Sequence, residues 1–144
     1  MLNFSLPNRF HSVLYTMLIF SISGCFGSGG EPIPDLASVS GVVTLDGAPL
    51  DGAKIIFEPQ QVTDNGRRHT SSATTESDGS YTLEYNSEAS GATPGTHKVL
   101  IIKMPDDPDQ AGEQLVPAKY NDKTELTAEV KEGDNTFNFD LKSK

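Results

Sequence analysis

The sequence predicts an all-β fold, a seven-stranded Greek-key β-sandwich, and three observations carry that expectation. From Ser38 onward, apolar and polar residues alternate with a period of two, the pattern of strands with one face buried. Gly, Pro, Asp and Asn break the alternation at short intervals, as turns between strands do. No stretch keeps a helical period over a normal helix length. About seven short strands separated by turn signals are the mark of a sandwich.

The elements follow in order. Val39, Gly41, Val43 and Leu45 alternate with Ser40, Val42, Thr44 and Asp46 to give the first strand, and Asp46-Gly47 turns the chain into a loop from Pro49 to Gly52. Ala53 to Glu58 is the second strand, with Ile55 and Phe57 on one face; Pro59 ends it because it has no N–H to donate. A polar loop from Gln60 to His69 precedes a short third strand, Ser72 to Thr75. Asp78-Gly79 then leads into Tyr81, Leu83 and Tyr85, and Asp-Gly between two alternating runs is the strongest short-range hairpin signal. After a loop from Asn86 to Gly95, His97 to Met104 is the most apolar strand, with Val99 and Ile101 on one side and Leu100 and Ile102 on the other, which suits the centre of a sheet. Pro105 stops it, and Asp106 to Lys119 is an acidic excursion with one helical turn expected around Ala111 to Leu115. Leu126, Ala128 and Val130 form the sixth strand, Gly133-Asp134 the turn, and Phe137, Phe139 and Leu141 the seventh. The apolar phases nominate Phe57, Tyr81, Leu83, Val99, Ile101, Val130, Phe137 and Phe139 as core. Gly47, Gly52, Gly79 and Gly95 are expected to supply tight-turn backbone rather than chemistry.

The segment before the strands has a different composition. Arg9 and His11 form a basic start without acidic residues, and Val13 to Ile22 is apolar except for Thr16 and Ser21. That core is shorter than the roughly 20 residues needed to cross a bilayer, so it reads as an export signal. It ends in Ile22-Ser23-Gly24-Cys25, and Cys25 is the only cysteine of the chain. Small residues next to the cut admit a peptidase, and the thiol supplies the nucleophile for lipid transfer, so the tetrad reads as a lipobox with Cys25 as the lipid-attachment residue. The expected organisation is a signal peptide over 1–24, a lipid-anchored tether over 25–37 and the β-sandwich over 38–144. The tether, Gly27-Ser28-Gly29-Gly30-Glu31-Pro32-Ile33-Pro34-Asp35, starts flexible and stiffens at its prolines. The expected partner is therefore a membrane, reached through the acyl chains, each buried CH₂ of which contributes about 0.8 kcal/mol. The segment resembles those of bacterial lipoproteins, in which an Asp after the cysteine favours inner-membrane retention; by that resemblance Phe26 permits sorting to an outer membrane where the cell has one.

Charge limits the other partners. The chain carries 11 Lys+Arg against 20 Asp+Glu, net −9, and loss of residues 1–24 removes one Arg and no acid, leaving net −10. Such a surface repels nucleic acid.

The strand and turn motifs carry a resemblance. Ser40-Gly41-Val42-Val43-Thr44-Leu45-Asp46-Gly47-Ala48-Pro49-Leu50, then Gly52-Ala53-Lys54-Ile55-Ile56-Phe57 and Thr74-Thr75-Glu76-Ser77-Asp78-Gly79-Ser80-Tyr81, resemble the carboxypeptidase regulatory-like domain. Pro94-Gly95-Thr96-His97-Lys98-Val99 and Pro117-Ala118-Lys119-Tyr120 are similar to segments of small bacterial lipoproteins with this domain. The resemblance implies a prealbumin-like (transthyretin-like) sandwich without an active site of its own, used for interaction or as a rigid spacer. Hydroxyisourate hydrolases share that fold but end in a Tyr-Arg-Gly-Ser-type tail, whereas this chain ends Leu141-Lys142-Ser143-Lys144.

The residues themselves point the same way. His11 lies in the signal, His69 in a polar loop and His97 at a strand start, and no Ser occupies a nucleophile-elbow sequence, so no catalytic residue is assigned. Asp106, Asp107 and Asp109, with Glu113, offer hard oxygens of the kind calcium prefers, but their spacing matches no EF-hand and they read as a solvated connection. No metal or cofactor is expected. Tyr81 and Tyr120 are read as core and as a plug at one end of the sandwich. The expected role is a non-catalytic envelope module with a protein or glycan partner. The alternative is a carbohydrate- or peptide-binding module, for which Tyr85 and Tyr120 would have to form an exposed aromatic platform at one end.

Overall fold

A computed structural model describes residues 32–62, 66–105 and 114–144. Cys25, the acidic loop 106–113 and most of the helical turn expected around Ala111 to Leu115 lie outside the described residues. In chain order the strands are β1 (Ser38–Leu45), β2 (Ala48–Pro49), β3 (Lys54–Pro59), β4 (Ser71–Thr74), β5 (Ser80–Thr82), β6 (Gly95–Ile102), β7 (Thr127–Val130), β8 (Asp134–Thr136) and β9 (Phe139–Leu141), with a 3₁₀ turn at Ala118–Tyr120. They form two sheets with a common core, a β-sandwich.

The first sheet is built on β1. Odd-numbered residues of β1 direct their backbone groups to antiparallel β5 and β2: Leu83 N–H bonds Val39 O, Val43 N–H bonds Gly79 O, and Leu50 N–H bonds Val43 O. Even-numbered residues face the opposite edge, where β8 and β9 run parallel to β1. The Asp46-Gly47 turn has φ of 52° and 85°, the double positive φ of a type I′ hairpin, whose twist matches the strands on either side. That hairpin adds β2, whose Pro49 the sequence pattern assigns to a loop.

The second sheet is a regular antiparallel ladder in the order β4-β3-β6-β7. Its registers include Phe57↔Ser71, Phe57↔Val99 and His97↔Ala128. β6 sits inside the sheet, as its apolar character implies. The two sheets meet at one corner, where Ser72 and Glu84 exchange both backbone hydrogen bonds.

Phe57, fully buried, is the centre of the core, with ring centroids 5.8 Å from His97, 5.9 Å from Phe137 and 6.4 Å from Phe139. Tyr81, Leu83, Val99, Ile101 and Val130 are buried with it. Phe137 and Phe139 are only partly buried, because β8 and β9 form the outer edge of the first sheet and have a strand on one side only.

The expected seventh strand is two strands. At Phe137 the chain leaves the ladder: Phe137 N–H still bonds Ser40 O, but the next backbone donor of β1, Val42 N–H, is taken at 3.0 Å by the side-chain oxygen of Asn138. The Phe137 carbonyl lies over Gly41, where a Cβ would stand 1.8 Å from its oxygen, and it accepts a 2.7 Å hydrogen bond from the Tyr81 hydroxyl. The absent side chain of Gly41 is what admits this carbonyl. The chain therefore has nine strands among the described residues where the sequence pattern suggested seven.

Candidate functional site

Cys25, the expected lipid-attachment residue, lies outside the described residues, and the structure shows only where the chain enters the sandwich. Residues 32–36 form no strand, and Ile33 is 43 % exposed. Ala37 is buried and pinned by two backbone hydrogen bonds exchanged with Ala92, of 2.9 and 3.0 Å. Everything before Ala37 thus joins the sandwich at the N-terminal end of β1, the entry pole. Among the described residues no helix is long and apolar enough to cross a membrane.

The two tyrosines that would have to form a platform occupy opposite poles. Tyr85 follows β5 just beyond Leu83, which bonds Val39 near the start of β1, and its ring stacks on His69 at 4.0 Å. Tyr120 lies in the 3₁₀ turn with its hydroxyl accepting the Lys142 N–H at 3.0 Å, past the end of β9 and therefore beyond the C-terminal end of β1. Both rings are half-buried. Tyr120 packs against the core with the Lys119 ammonium 5.1 Å from its ring centre, consistent with a plug at the far pole. Nearby, hydrogen bonds from Ser143, aided by Lys142 and Lys119, hold the Asp46 carboxyl below its ordinary range.

Tyr81 is 4 % exposed, and burial pushes its phenol pKa far up, so it remains a neutral donor to the Phe137 carbonyl. The hydroxyl is a structural strut between β5 and the β8–β9 break.

Sequence reading placed His97 only at a strand start. The structure buries it at 1 % exposure, with Nε2 2.7 Å from the Thr93 carbonyl oxygen and no partner for Nδ1. The other buried side-chain atom without a partner is Ser71 Oγ. A buried histidine and a buried serine would suggest nucleophilic chemistry if they met. They do not: Ser71 is on β4 and His97 on β6, with β3 between them carrying Phe57 beside both. The inward position of His97 in its strand was legible from the period, since Val99 and Ile101 share its phase; that a polar ring would fill it was not.

Shallow clefts mark the surface among the described residues. One, about 340 Å³, lies where β4 and β5 diverge and is lined by Ala73, Thr74, Glu76, Tyr81, Thr82 and Glu84. A second, about 420 Å³, lies against Lys119, Tyr120, Lys123, Glu125 and Leu126, and the smallest, about 270 Å³, against Glu58 to Gln60, Arg68 and Thr70. Ligand sites of this size are usually apolar with a few convergent polar groups. These are open, and only the one between β4 and β5 is mostly polar; among the described residues no group of three or more His, Cys, Asp or Glu is placed to hold a metal ion.

No protein-family model, no curated protein and no solved structure matches the chain. Several strand and turn motifs of the sequence fall on structural joints: Asp46-Gly47 and Asp78-Gly79 at turns, Gly41 and Tyr81 at the β8–β9 break, and Pro117 before the 3₁₀ turn.

Proposed function

We propose that this chain is a lipid-anchored, non-catalytic lipoprotein of the cell envelope, whose sandwich, of Greek-key prealbumin type, serves as an interaction or structural module. The observation that carries the reading is the placement of the sole cysteine: it closes Ile22-Ser23-Gly24-Cys25 after a short apolar run and precedes a Gly- and Pro-rich tether. The chain enters the sandwich at Ala37, at the pole opposite Tyr120.

A non-catalytic role is supported by what the polar rings do. Buried His97 bonds a backbone carbonyl and buried Tyr81 braces another, while His69, exposed in its loop, stacks on Tyr85. The partner is an envelope protein or glycan rather than nucleic acid, in keeping with the net charge of −9. The separation of Tyr85 and Tyr120 to opposite poles gives no support to sugar stacking between them.

Metabolic labelling with a tagged fatty acid tests the anchor. The wild-type chain should incorporate the label, and Cys25→Ser should lose it. Equal labelling of the two would remove the reading.

A further inference from the structure

The outer faces of the two sheets differ in chemistry. On the first, the outward residues Ser40, Thr44, Ser80, Thr82, Asn138 and Asp140 are polar, relieved only by Val42. On the second, the burial pattern of β3 turns Lys54, Ile56 and Glu58 outward, and the register with β6 sets Ile102, Leu100 and Lys98 beside them. Ile56 and Leu100, both half-buried, thus form a cross-strand apolar pair at the middle of the sheet, with half-buried Ile102 extending it and the polar Ser72, Thr74, Thr127 and Glu129 of β4 and β7 flanking it. Glu58 and Lys98 stand opposite one another at one end of the patch and form no ion pair among the described residues.

We propose that this face is a self-association surface and that its occupant is a second copy of the chain. The charge pattern argues for a copy. A two-fold axis parallel to the strands, running between β3 and β6, lays β3 of each molecule over β6 of the other with every row at the same level. Ile56 then meets Leu100, Glu58 meets Lys98, and the aliphatic stem of Lys54 meets Ile102, each contact occurring twice as an isologous interface requires. The same operation keeps the two entry poles on one side. Two copies anchored in one membrane, as the proposed function has them, would therefore meet this geometry without turning over.

The size of the face sets the strength. Four strands about 4.8 Å apart and about five residues of roughly 3.3 Å rise give roughly 19 by 17 Å, roughly 300 Å² in projection. Two such faces cover roughly 600 Å² together, well below the roughly 1,200–2,000 Å² of stable interfaces, so the pair is weak and transient in solution and is favoured by confinement to a surface, which raises effective concentration.

The test uses the full chain, co-produced as two differently tagged copies, one carrying Ile56→Cys and the other Leu100→Cys, with mild oxidation of the membrane fraction. A control pair carries Val42→Cys on the polar face, where Val42 is 37 % exposed. The Ile56/Leu100 pair should cross-link at least about tenfold more than the control, a difference equivalent to one decade of local affinity. Adding Glu58→Lys to both copies should cut cross-linking severalfold by setting like charges against Lys98, and Glu58→Lys with Lys98→Glu should restore it. Cross-linking no stronger than the control, or insensitive to Glu58→Lys, would overturn the proposal. The chain without introduced cysteines reports separately on the anchor: if it forms disulfide dimers itself, Cys25 carries a free thiol, and the anchoring reading fails without deciding the interface.

Discussion

The two sheets are held together by different means. The second is a ladder in which backbone pairs backbone from Lys54↔Ile102 through Pro59↔His97, and its alternation of buried and outward residues runs unbroken along β3 and β6. The first depends on individual side chains where the ladder fails. Asn138 supplies an acceptor to Val42, Tyr81 braces the Phe137 carbonyl, and Gly41 leaves space for it. At the turn before β8, Asn135 bonds Lys131 in both directions, donating to its carbonyl and accepting its N–H. A sheet made by periodicity tolerates outward substitutions and is sensitive to core volume. A sheet made by contacts is sensitive at particular atoms.

The largest effect should come from the core that the two sheets share. Phe57→Ala removes the ring that packs on His97, Phe137 and Phe139, and should cost about 3–5 kcal/mol in denaturant unfolding. A loss below about 1 kcal/mol would mean that the second sheet is not organised around this residue.

A sharper probe of the contrast is the Gly41, Tyr81 pair. Gly41→Ala places a Cβ 1.8 Å from the Phe137 oxygen and should cost about 3 kcal/mol, the upper range for overpacking. Tyr81→Phe, which only deletes the hydroxyl, should cost about 1–2 kcal/mol by leaving that carbonyl unpartnered. Because both act on one carbonyl, the double variant should fall short of the sum by at least about 0.5 kcal/mol. Strict additivity would break the claim that one atom joins β1, β5 and the β8–β9 break.

What the sequence disclosed and what it hid follow the same division. The strands of the second sheet, its central β6, the Asp78-Gly79 turn and six of the eight nominated core residues could be read because period and turn chemistry are local signals. The split of the last strand could not, because it depends on the Asn138 amide meeting β1 at a separation of 96 residues. Phe137 and Phe139 were placed in the interior by phase, yet phase does not report that their strands end at an edge. β2 was missed because two residues cannot show a period, although both of its neighbours in the turn were recognised. Of the functional reading, Cys25 and its tether rest on composition alone, and the poles of Tyr85 and Tyr120 were not legible, since they depend on which end of β1 each loop reaches.

The smallest effect concerns pH. The Asp78 carboxylate accepts hydrogen bonds from Ser80, at 2.9 Å from its N–H, which hold its pKa below the ordinary value near 3.8. A depressed folded pKa contributes stability that is present above the unfolded value and lost as pH falls through the folded one, so the contribution should disappear only on the acid side of about pH 4. Asp78→Asn should lower stability slightly at neutral pH and converge with the wild type on the acid side of about pH 4, which makes the acid limb shallower. A difference that persists undiminished in acid would assign the turn a different role.

The central claim is that Cys25 joins the sandwich to a membrane, and the intact mass of the protein isolated from the membrane fraction tests it most directly. The account predicts a mature chain whose first residue is Cys25 and whose mass exceeds that of residues 25–144 by diacylglycerol or a further acyl chain. A chain that retains residues 1–24, or one cleaved there with an unmodified cysteine, would contradict it.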